Sequence, residues 1–523
     1  MDYEVSLASG RLSGTVVGEG RVRVFRGVPY AESPIGDLRW RPPRQLARWR
    51  GTRNAKSFGP CCVQRPRPVR SVMHFGVEPA SEDCLYLNVW APADGGEAPS
   101  PVMFWIHGGG FYYGSGSLPL YDGVALAKKG VVVVTINYRL GPLGFLAHPA
   151  LSKESEHKVS GNYGLLDQIA ALEWVRDNIA AFGGDPQRVT IFGQSVGSSS
   201  VNCLMASPLA RGLFHRAIAQ SGGSMGPLGS PAAGSMQTLA QAEEEGLAFA
   251  RRMNAPTIDD LRALPAEAVQ FLGCTADAPE PEVADAMRTT RKSGWVIVDG
   301  HAVPRSVYAT FDTGQQADVP LLAGWNSHEG STSPGCASLQ ALEQECRTLF
   351  GDATERLLKL YDTGLGADAG DIRRAITGHR TFDWQNWTAV RRHAATARAA
   401  SFCYHFERVP PFPPGPAFAE NTAAKLGAFH TAEIPYVFDH LDVRDWPWTP
   451  RDRQLADMMS RYWVNFATRG DPNGAGLPQW PVFDQRTQAV MTFGDVTAID
   501  GPPNRDKLDF WDSCFQSVRV RTG

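Results

Sequence analysis

No stretch of the 523-residue chain is apolar for long. The longest apolar strings, such as residues 130–136 (GVVVVTI), fall far short of the roughly 18–20 residues that a membrane-spanning helix needs. The N-terminal MDYEVSLASGRLSG has neither a basic n-region nor an apolar h-region. It therefore predicts no signal peptide and cytoplasmic residence. Charge of one sign is also missing. Lys and Arg number 51, Asp and Glu 54, and the formal net charge is −3. That balance gives no electrostatic reason to expect nucleic acid or an anionic membrane as a partner. Cysteine is sparse and odd in number, nine in all, with no pair at zinc-finger spacing. A disulfide scaffold and a structural zinc site are excluded. No internal repeat is present, and no Gly-Lys-Ser/Thr follows the glycine-rich segment at 108–110, which excludes a phosphate-binding P-loop.

What is present is ordinary globular composition, 43% hydrophobic and 20% charged, which excludes a disordered chain. The length suggests about three domains at roughly 150 residues each, unless one large α/β sheet carries long insertions. The pattern favours the latter. The first fifty residues are β-rich, with VRVFRGVPYA alternating around Gly27 and Pro29. Residues 101–107 (PVMFWIH) and 131–138 (VVVVTINY) read as strands apolar on both faces, which suits central strands covered on both sides. Leu165, Ile169, Leu172, Val175 and Ile179 recur at helical spacing, and Gly183-Gly184-Asp185-Pro186 should stop that helix. Further strands are predicted at 188–192 (RVTIF), 216–219, 320–324 (PLLAG) and 403–407. This β-α-β rhythm predicts a mostly parallel sheet. Residues at about 231–315 and 336–400 are helical in pattern and read as insertions above the sheet. Glu243-Glu244-Glu245 reads as a solvated helix face. Pro410, Pro411, Pro413, Pro414 and Pro416 read as a stiff connector.

Two motifs carry chemistry. Gly193-Gln194-Ser195-Val196-Gly197 lies between a strand and a predicted helix. A serine on so tight a turn exposes its Oγ beside backbone N–H groups, and flanking glycines are needed where side chains would collide with the neighbouring elements. His107-Gly108-Gly109-Gly110-Phe111 follows another buried strand. Its glycines let backbone N–H groups approach a developing oxyanion. A serine nucleophile also needs a base and an orienting acid. Eight histidines and many carboxylates lie downstream of Ser195. Order and position point to Glu329, at the end of a strand in WNSHEG, and His430, in GAFHTAEIPYVF, without deciding between them and others. His328 reads as a solvated loop residue.

Taken together these segments resemble the type-B carboxylesterase family, the bacterial para-nitrobenzyl-esterase-like relatives of cholinesterases. The resemblance runs through FRGVPYAESPIGDLRWRPP, SEDCLYLNVWAP, WIHGGGF, INYRLGPLGFL, GNYGLLDQIAALEWVRDNIAAFGGDP and RVTIFGQSVG. It continues through VIVDG, VPLLAGWNSHEG, LGAFHTAEIPYVF and FATRGDPN. It implies an α/β-hydrolase fold, in which residues 1–523 form a single catalytic domain whose helical insertions form an active-site gorge. It implies a serine carboxylesterase that hydrolyses esters through an acyl-enzyme. Ser195 would be the nucleophile, Glu329 the triad acid, His430 the base, and the N–H groups of Gly109, Gly110 and Val196 the oxyanion hole. Cys62 and Cys84 match the pair that closes a short disulfide loop in the family, whereas Cys61 has no counterpart and is expected as a free thiol. No metal and no organic cofactor are expected. The partner is a small-molecule ester, and the oligomeric state, monomer or dimer, is left open.

Three departures from the family pattern stand out. The residue before the nucleophile is usually Glu, and here it is Gln194. The residue after it is usually Ala, and here it is Val196. Residues 63–83 contain no Trp, so the aromatic that holds quaternary ammonium groups in cholinesterases is missing from its expected segment. Gln194, Phe111 and Trp325 are candidate substrate-binding residues, with Tyr112, Tyr113, Trp384 and Trp387 as further pocket walls. Two other readings remain at this point: a serine-dependent acyltransferase or cyclising enzyme of a biosynthetic pathway, and a non-catalytic cholinesterase-like binding module.

Overall fold

A computed structural model describes residues 2–76, 78–95, 98–229, 235–271, 294–361, 368–415 and 418–522. Among them, thirteen strands form one sheet. In chain order these are β1 (Asp2–Leu7), β2 (Gly10–Val17), β3 (Val22–Pro29), β4 (Thr52–Asn54), β5 (Tyr86–Pro92), β6 (Ser100–Ile106) and β7 (Val132–Ile136). They continue with β8 (Gly184–Gln194), β9 (Arg216–Gln220), β10 (Leu321–Asn326), β11 (Ser401–Phe406), β12 (Val490–Phe493) and β13 (Thr497–Asp500). Across the sheet the order is β1-β2-β3-β5-β7-β6-β8-β9-β10-β11-β12-β13, with β4 beside β2. The block from β7 to β12 is parallel, and antiparallel strands flank it on both sides.

The apolar runs become central strands because both faces are covered. Along β6, Val102, Phe104 and Ile106 enter one hydrophobic cluster and Met103 and Trp105 the other. That is the two-residue period of a strand with a core on each side. Helix α1 (Tyr163–Asn178) supplies Leu165, Ile169, Leu172 and Val175 to the first cluster. Helix α2 (Val196–Ala206) packs on β8 and β9, and α3 (Trp384–Thr396) on β10 and β11. Helix α4 (Pro450–Arg469) supplies Leu455, Met459 and Trp463 to the second cluster. Each fully buried Val, Leu or Phe in these layers contributes about 1.5–3 kcal/mol.

Some expectations shift. Helix α1 ends at Asn178, before the predicted stop, and a 3₁₀ turn (Ile179–Phe182) leads to Gly183 at φ 85°. Gly184 then begins β8 rather than belonging to the stop. The predicted helical insertions contain Leu239–Arg252, Ile258–Ala263 and Val307–Asp312, then Leu339–Phe350, Thr354–Tyr361, Ala369–Gly378 and α3. Residues 230–234, 272–293 and 362–367, which those insertions also span, lie outside the described residues. The triple glutamate is only partly a solvated face. Glu243 accepts from Ser152 Oγ at 2.5 Å and Glu245 from Gln237 Nε2 at 2.7 Å, while Glu244 is exposed. The proline segment is pinned by Phe412, whose ring lies 5.1 Å from Trp446 and 5.7 Å from Phe418. Pro416 lies outside the described residues.

Candidate active site

The site is assembled at the carboxyl ends of β6, β8 and β10. Ser195 joins β8 to α2 with φ 60° and ψ −125°, a region that non-glycine residues rarely adopt. Close packing holds it there. A Cβ at Gly197 would lie 2.0 Å from the Ile106 carbonyl, and one at Gly222 would lie 2.1 Å from the Ser195 carbonyl. Ser195 N donates to Gln220 O at 2.9 Å. The serine is thus fixed by the two strands that flank β8 and by glycines that admit them.

The glycine loop after β6 lies against this turn. A Cβ at Gly108 would approach the Gln194 carbonyl to 2.7 Å. Gly109 has φ 115° and Gly110 has φ 68°, and a Cβ at Gly110 would meet nothing within 4 Å. Among the described residues, the N–H groups of Gly109, Gly110 and Val196 donate to no protein acceptor. For Val196 the reason is general: the first N–H groups of a helix have no intrahelical partner. His107 anchors the loop. Its ring stacks on Tyr138 at 4.4 Å and its Nδ1 faces Gly108 O at 2.8 Å. Burial pushes its pKa down to about 4, so it is neutral near pH 7.

Glu329 follows β10 and is 2% exposed. Its Oε1 accepts from Asn326 N at 2.8 Å, and its Oε2 lies 2.5 Å from His430 Nδ1. That short contact places the Nδ1 proton toward the carboxylate and leaves Nε2 as the acceptor. Among the described residues, no hydrogen bond joins Ser195 Oγ to His430. Gln194 Nε2 stands 3.2 Å from His430 Nε2 instead and 3.4 Å from Nδ1. Phe382 covers the imidazole with its ring centroid 4.3 Å away.

A second layer was not foreseen from the sequence. Asn326 Nδ2 donates to Glu433 Oε2 at 2.7 Å and to Phe429 O at 2.8 Å. Gln220 Nε2 donates to Glu433 Oε1 at 3.2 Å, and Trp463 Nε1 donates to Gln220 Oε1 at 3.1 Å. Burial, and then the charge of Glu329, raise the Glu433 pKa to about 7. Asp383 is also buried behind Glu329, and the same two causes hold its carboxyl well above the usual range. It closes a π-helical turn, His379–Asp383, that carries Phe382; such turns cluster at functional sites. The only sequence signal for Glu433 is its place three residues after His430.

Ser195, Glu329, His430, Gln194, Gly109, Gly110 and Val196 are therefore brought together. Phe111 and Trp325 are not placed at a wall. Both have 0% exposure. Phe111 packs on Phe145 and Trp295, with centroids 4.7 and 5.1 Å away, and Trp325 packs on His405. Trp384 and Trp387 are equally buried, whereas Tyr113 keeps some accessible surface. Trp325 on β10 and Trp384 and Trp387 on α3 are turned into the hydrophobic core. Cys62 and Cys84 lie side by side as buried free thiols, not as a disulfide. Their hydrogen bond, with burial, holds the Cys84 thiol well above its usual pKa. Cys61 is free as expected, and burial pushes it up to about 12. His328 is exposed, as its loop position suggested.

Residues 2–511 match the carboxylesterase family. The chain belongs to that family. It is 38% identical over 494 residues to the fumonisin B1 esterase of Sphingopyxis macrogoltabida, covering 92% of this chain and 85% of that one. It is 33% identical over 526 residues to the para-nitrobenzyl esterase of Bacillus subtilis (strain 168), covering 96% and 97%. A solved thermophilic para-nitrobenzyl esterase superposes with a TM-score of 0.81 at 31% identity, covering 98% of this chain and all of that one. This carboxylesterase is a serine-type carboxylic ester hydrolase with the α/β-hydrolase fold, and its substrates are small-molecule esters. Among the described residues, no helix is long and apolar enough to cross a membrane.

Proposed function

We propose that Ser195, His430 and Glu329 form the catalytic triad of this carboxylesterase, with Gly109, Gly110 and Val196 as its oxyanion donors. The observation that carries the reading is the 2.5 Å Glu329–His430 pair beside a half-buried serine held in a strained turn. Glu329 fixes the tautomer, so His430 Nε2 takes the Ser195 proton as Oγ attacks the ester carbonyl. The tetrahedral oxyanion falls among N–H groups that have no protein acceptor among the described residues, where preorganised donors are worth several kcal/mol. His430 then protonates the leaving alcohol. In the second half it deprotonates the water that frees the acyl group. The steps need only protein groups and water. Gln194 faces the same Nε2 at 3.2 Å, so substrate binding must turn the imidazole from the amide toward Ser195. Contacts of this kind often tighten only in the substrate complex.

We read the whole chain as one catalytic unit, with the helices after β9 and β10 walling the approach to Ser195. The relatives are named as esterases of unlike substrates, fumonisin B1 and para-nitrobenzyl esters, which supports the reaction class and leaves the substrate open. The test is chemical. A fluorophosphonate should label Ser195 alone, and Ser195→Ala should lower kcat by at least about 10³-fold with an unchanged melting temperature. An adduct on another residue overturns the assignment.

A further inference from the structure

One aromatic ring touches the base without taking part in proton transfer. The Phe382 ring lies 4.3 Å from the His430 ring, centroid to centroid, with the two planes 35° apart. This is a tilted stack on the imidazole face, not an edge contact. Glu329 holds the Nδ1 edge of the same imidazole at 2.5 Å, and Gln194 faces its Nε2 at 3.2 Å. A hydrogen bond at one edge leaves the imidazole plane free to swing about that bond. A ring on the face removes this freedom.

The fold fixes Phe382 and Glu329 relative to each other. Phe382 is carried by the π turn His379–Asp383, in which Trp384 N donates to His379 O. Asn386 Nδ2 donates to Phe382 O at 2.9 Å. His379 Nδ1 lies 2.9 Å from Tyr361 Oη, which accepts from Trp511 Nε1 at 3.2 Å, so the turn is tied to the C-terminal helix (Arg505–Thr522). The helix before the turn, Ala369–Gly378, packs on the 3₁₀ turn Glu329–Thr332. A Cβ at Gly330 would lie 1.8 Å from Arg374 O, and one at Gly378 would lie 2.8 Å from Gly330 N. Carboxylate and aromatic ring thus reach the imidazole from two turns that two glycines let pack backbone against backbone.

The consequence is electrostatic. As Ser195 Oγ loses its proton, His430 becomes an imidazolium. The face of a phenyl ring attracts a cation and gains much less from a neutral ring. An interaction that is stronger in the transition state than in the resting state speeds the reaction. The other titratable groups around His430 are Glu329 on the turn after β10, Glu433 on its own segment, and Asp383 on the π turn behind Glu329, whereas β8 presents the uncharged Gln194. We infer that Phe382 is a positioning residue for the base: its ring sets the imidazole plane and stabilises the imidazolium that forms as the ester is attacked. This rests on His430 acting as the base, as proposed above.

The test replaces Phe382 with 4-fluoro-, 3,5-difluoro- and 3,4,5-trifluorophenylalanine, which keep the ring's shape and weaken the negative potential of its face. Every neighbouring carboxyl stays in place. The pH profile of kcat/KM is read on benzyl acetate. With three fluorines the plateau should fall about threefold and the rising limb should move down by about 0.5 unit, with the smaller changes in order of fluorine number. Well below the limb the curves should converge, because free enzyme and transition state then both carry the imidazolium and the loss cancels. Phe382→Leu should move the limb the same way, and Phe382→Tyr, which keeps the ring, should stay near wild type. Profiles that are unchanged, unordered by fluorine number, or lowered equally at every pH overturn the inference. Nitrogen-15 NMR titration of His430 in Ser195→Ala, with and without the fluorinated rings, separates the two claims. A midpoint that falls with fluorine number, beside full turnover by His430→Gln, refutes the base and upholds the contact. A constant midpoint with an inactive His430→Gln does the reverse.

Discussion

Gln194→Glu would restore to this site the carboxylate that its family usually carries, and the geometry predicts a cost at neutral pH. Gln194 is 1% exposed, and its amide nitrogen stands 3.2 and 3.4 Å from the two nitrogens of His430. A carboxylate in the same place would stabilise the imidazolium. Coulomb's law at an effective dielectric near 20 gives about 5 kcal/mol at such a separation as an upper bound. The range seen for an opposite charge this close is roughly 1–3 pH units. The base must be neutral to accept the Ser195 proton. The rising limb of kcat/KM against pH should therefore move upward by about 1–3 units relative to wild type. At the pH where wild type is half-active, a one-unit move lowers activity roughly fivefold, since one unit is a factor of ten in the protonation equilibrium. For a cationic ester the same charge, about 6 Å from the alcohol, offers roughly 2–3 kcal/mol at that dielectric. Solvent would weaken this to about a tenfold gain over the neutral isostere at low salt. The assay is a pH–rate profile on a neutral and a cationic ester at two salt concentrations. Gln194→Met serves as the control that removes the amide without adding charge. If the limb of Gln194→Glu stays within 0.3 unit of wild type (about 0.4 kcal/mol), or if Gln194→Met shifts it equally, the electrostatic argument is wrong.

Three further outcomes are expected. Burial and Glu329 raise Glu433 to about 7, so its ionisation opposes folding as pH rises from the unfolded value near 4.3 through 7. Glu433→Gln should gain relative to wild type by up to about 3 kcal/mol between pH 5 and pH 8, and a pH-independent difference in denaturant midpoints would refute this. Asp452 is lowered to about 2: burial raises it, but bonds from Arg408 at 2.7 Å, Thr449 and Tyr436 overcome that. Its contribution of about 2 kcal/mol is present above pH 4 and lost as pH falls toward 2, so Asp452→Asn should be destabilising at pH 7 and near neutral at pH 2. Val196→Ala removes two methyl groups of about 0.8 kcal/mol each if buried against the acyl chain. It should relax acyl choice with little change in alcohol preference, and an effect confined to the alcohol would put that side chain on the other wall.

The strands and the two motifs were legible because their information is local. Residues 101–106 are apolar at every position, and such a run suits a strand with a core on both faces. The turn around Ser195 carries glycine at 193 and 197, where a Cβ would meet the neighbouring strand at Ile106, so five residues already mark the tight packing around the serine. Glu329 and His430 were harder. They are 101 residues apart, and nothing local separates them from the other carboxylates and histidines. Their pairing came from family resemblance, and the 2.5 Å contact came from folding. The aromatic candidates failed for the same reason in reverse. Phe111 and Trp325 sit beside the motifs in sequence, yet the side-chain direction at β10 and the positive φ of Phe111 send both inward. The sequence by itself determined the fold class, the strained serine and the glycine-rich loop after β6, since each depends on residue type and spacing over a few positions. Only the tertiary structure decided which acid meets which base, that Glu433 and Asp383 are buried behind them, and that Phe382 stacks on His430. Burial, pKa and charge pairing depend on what distant segments bring to the same few ångströms.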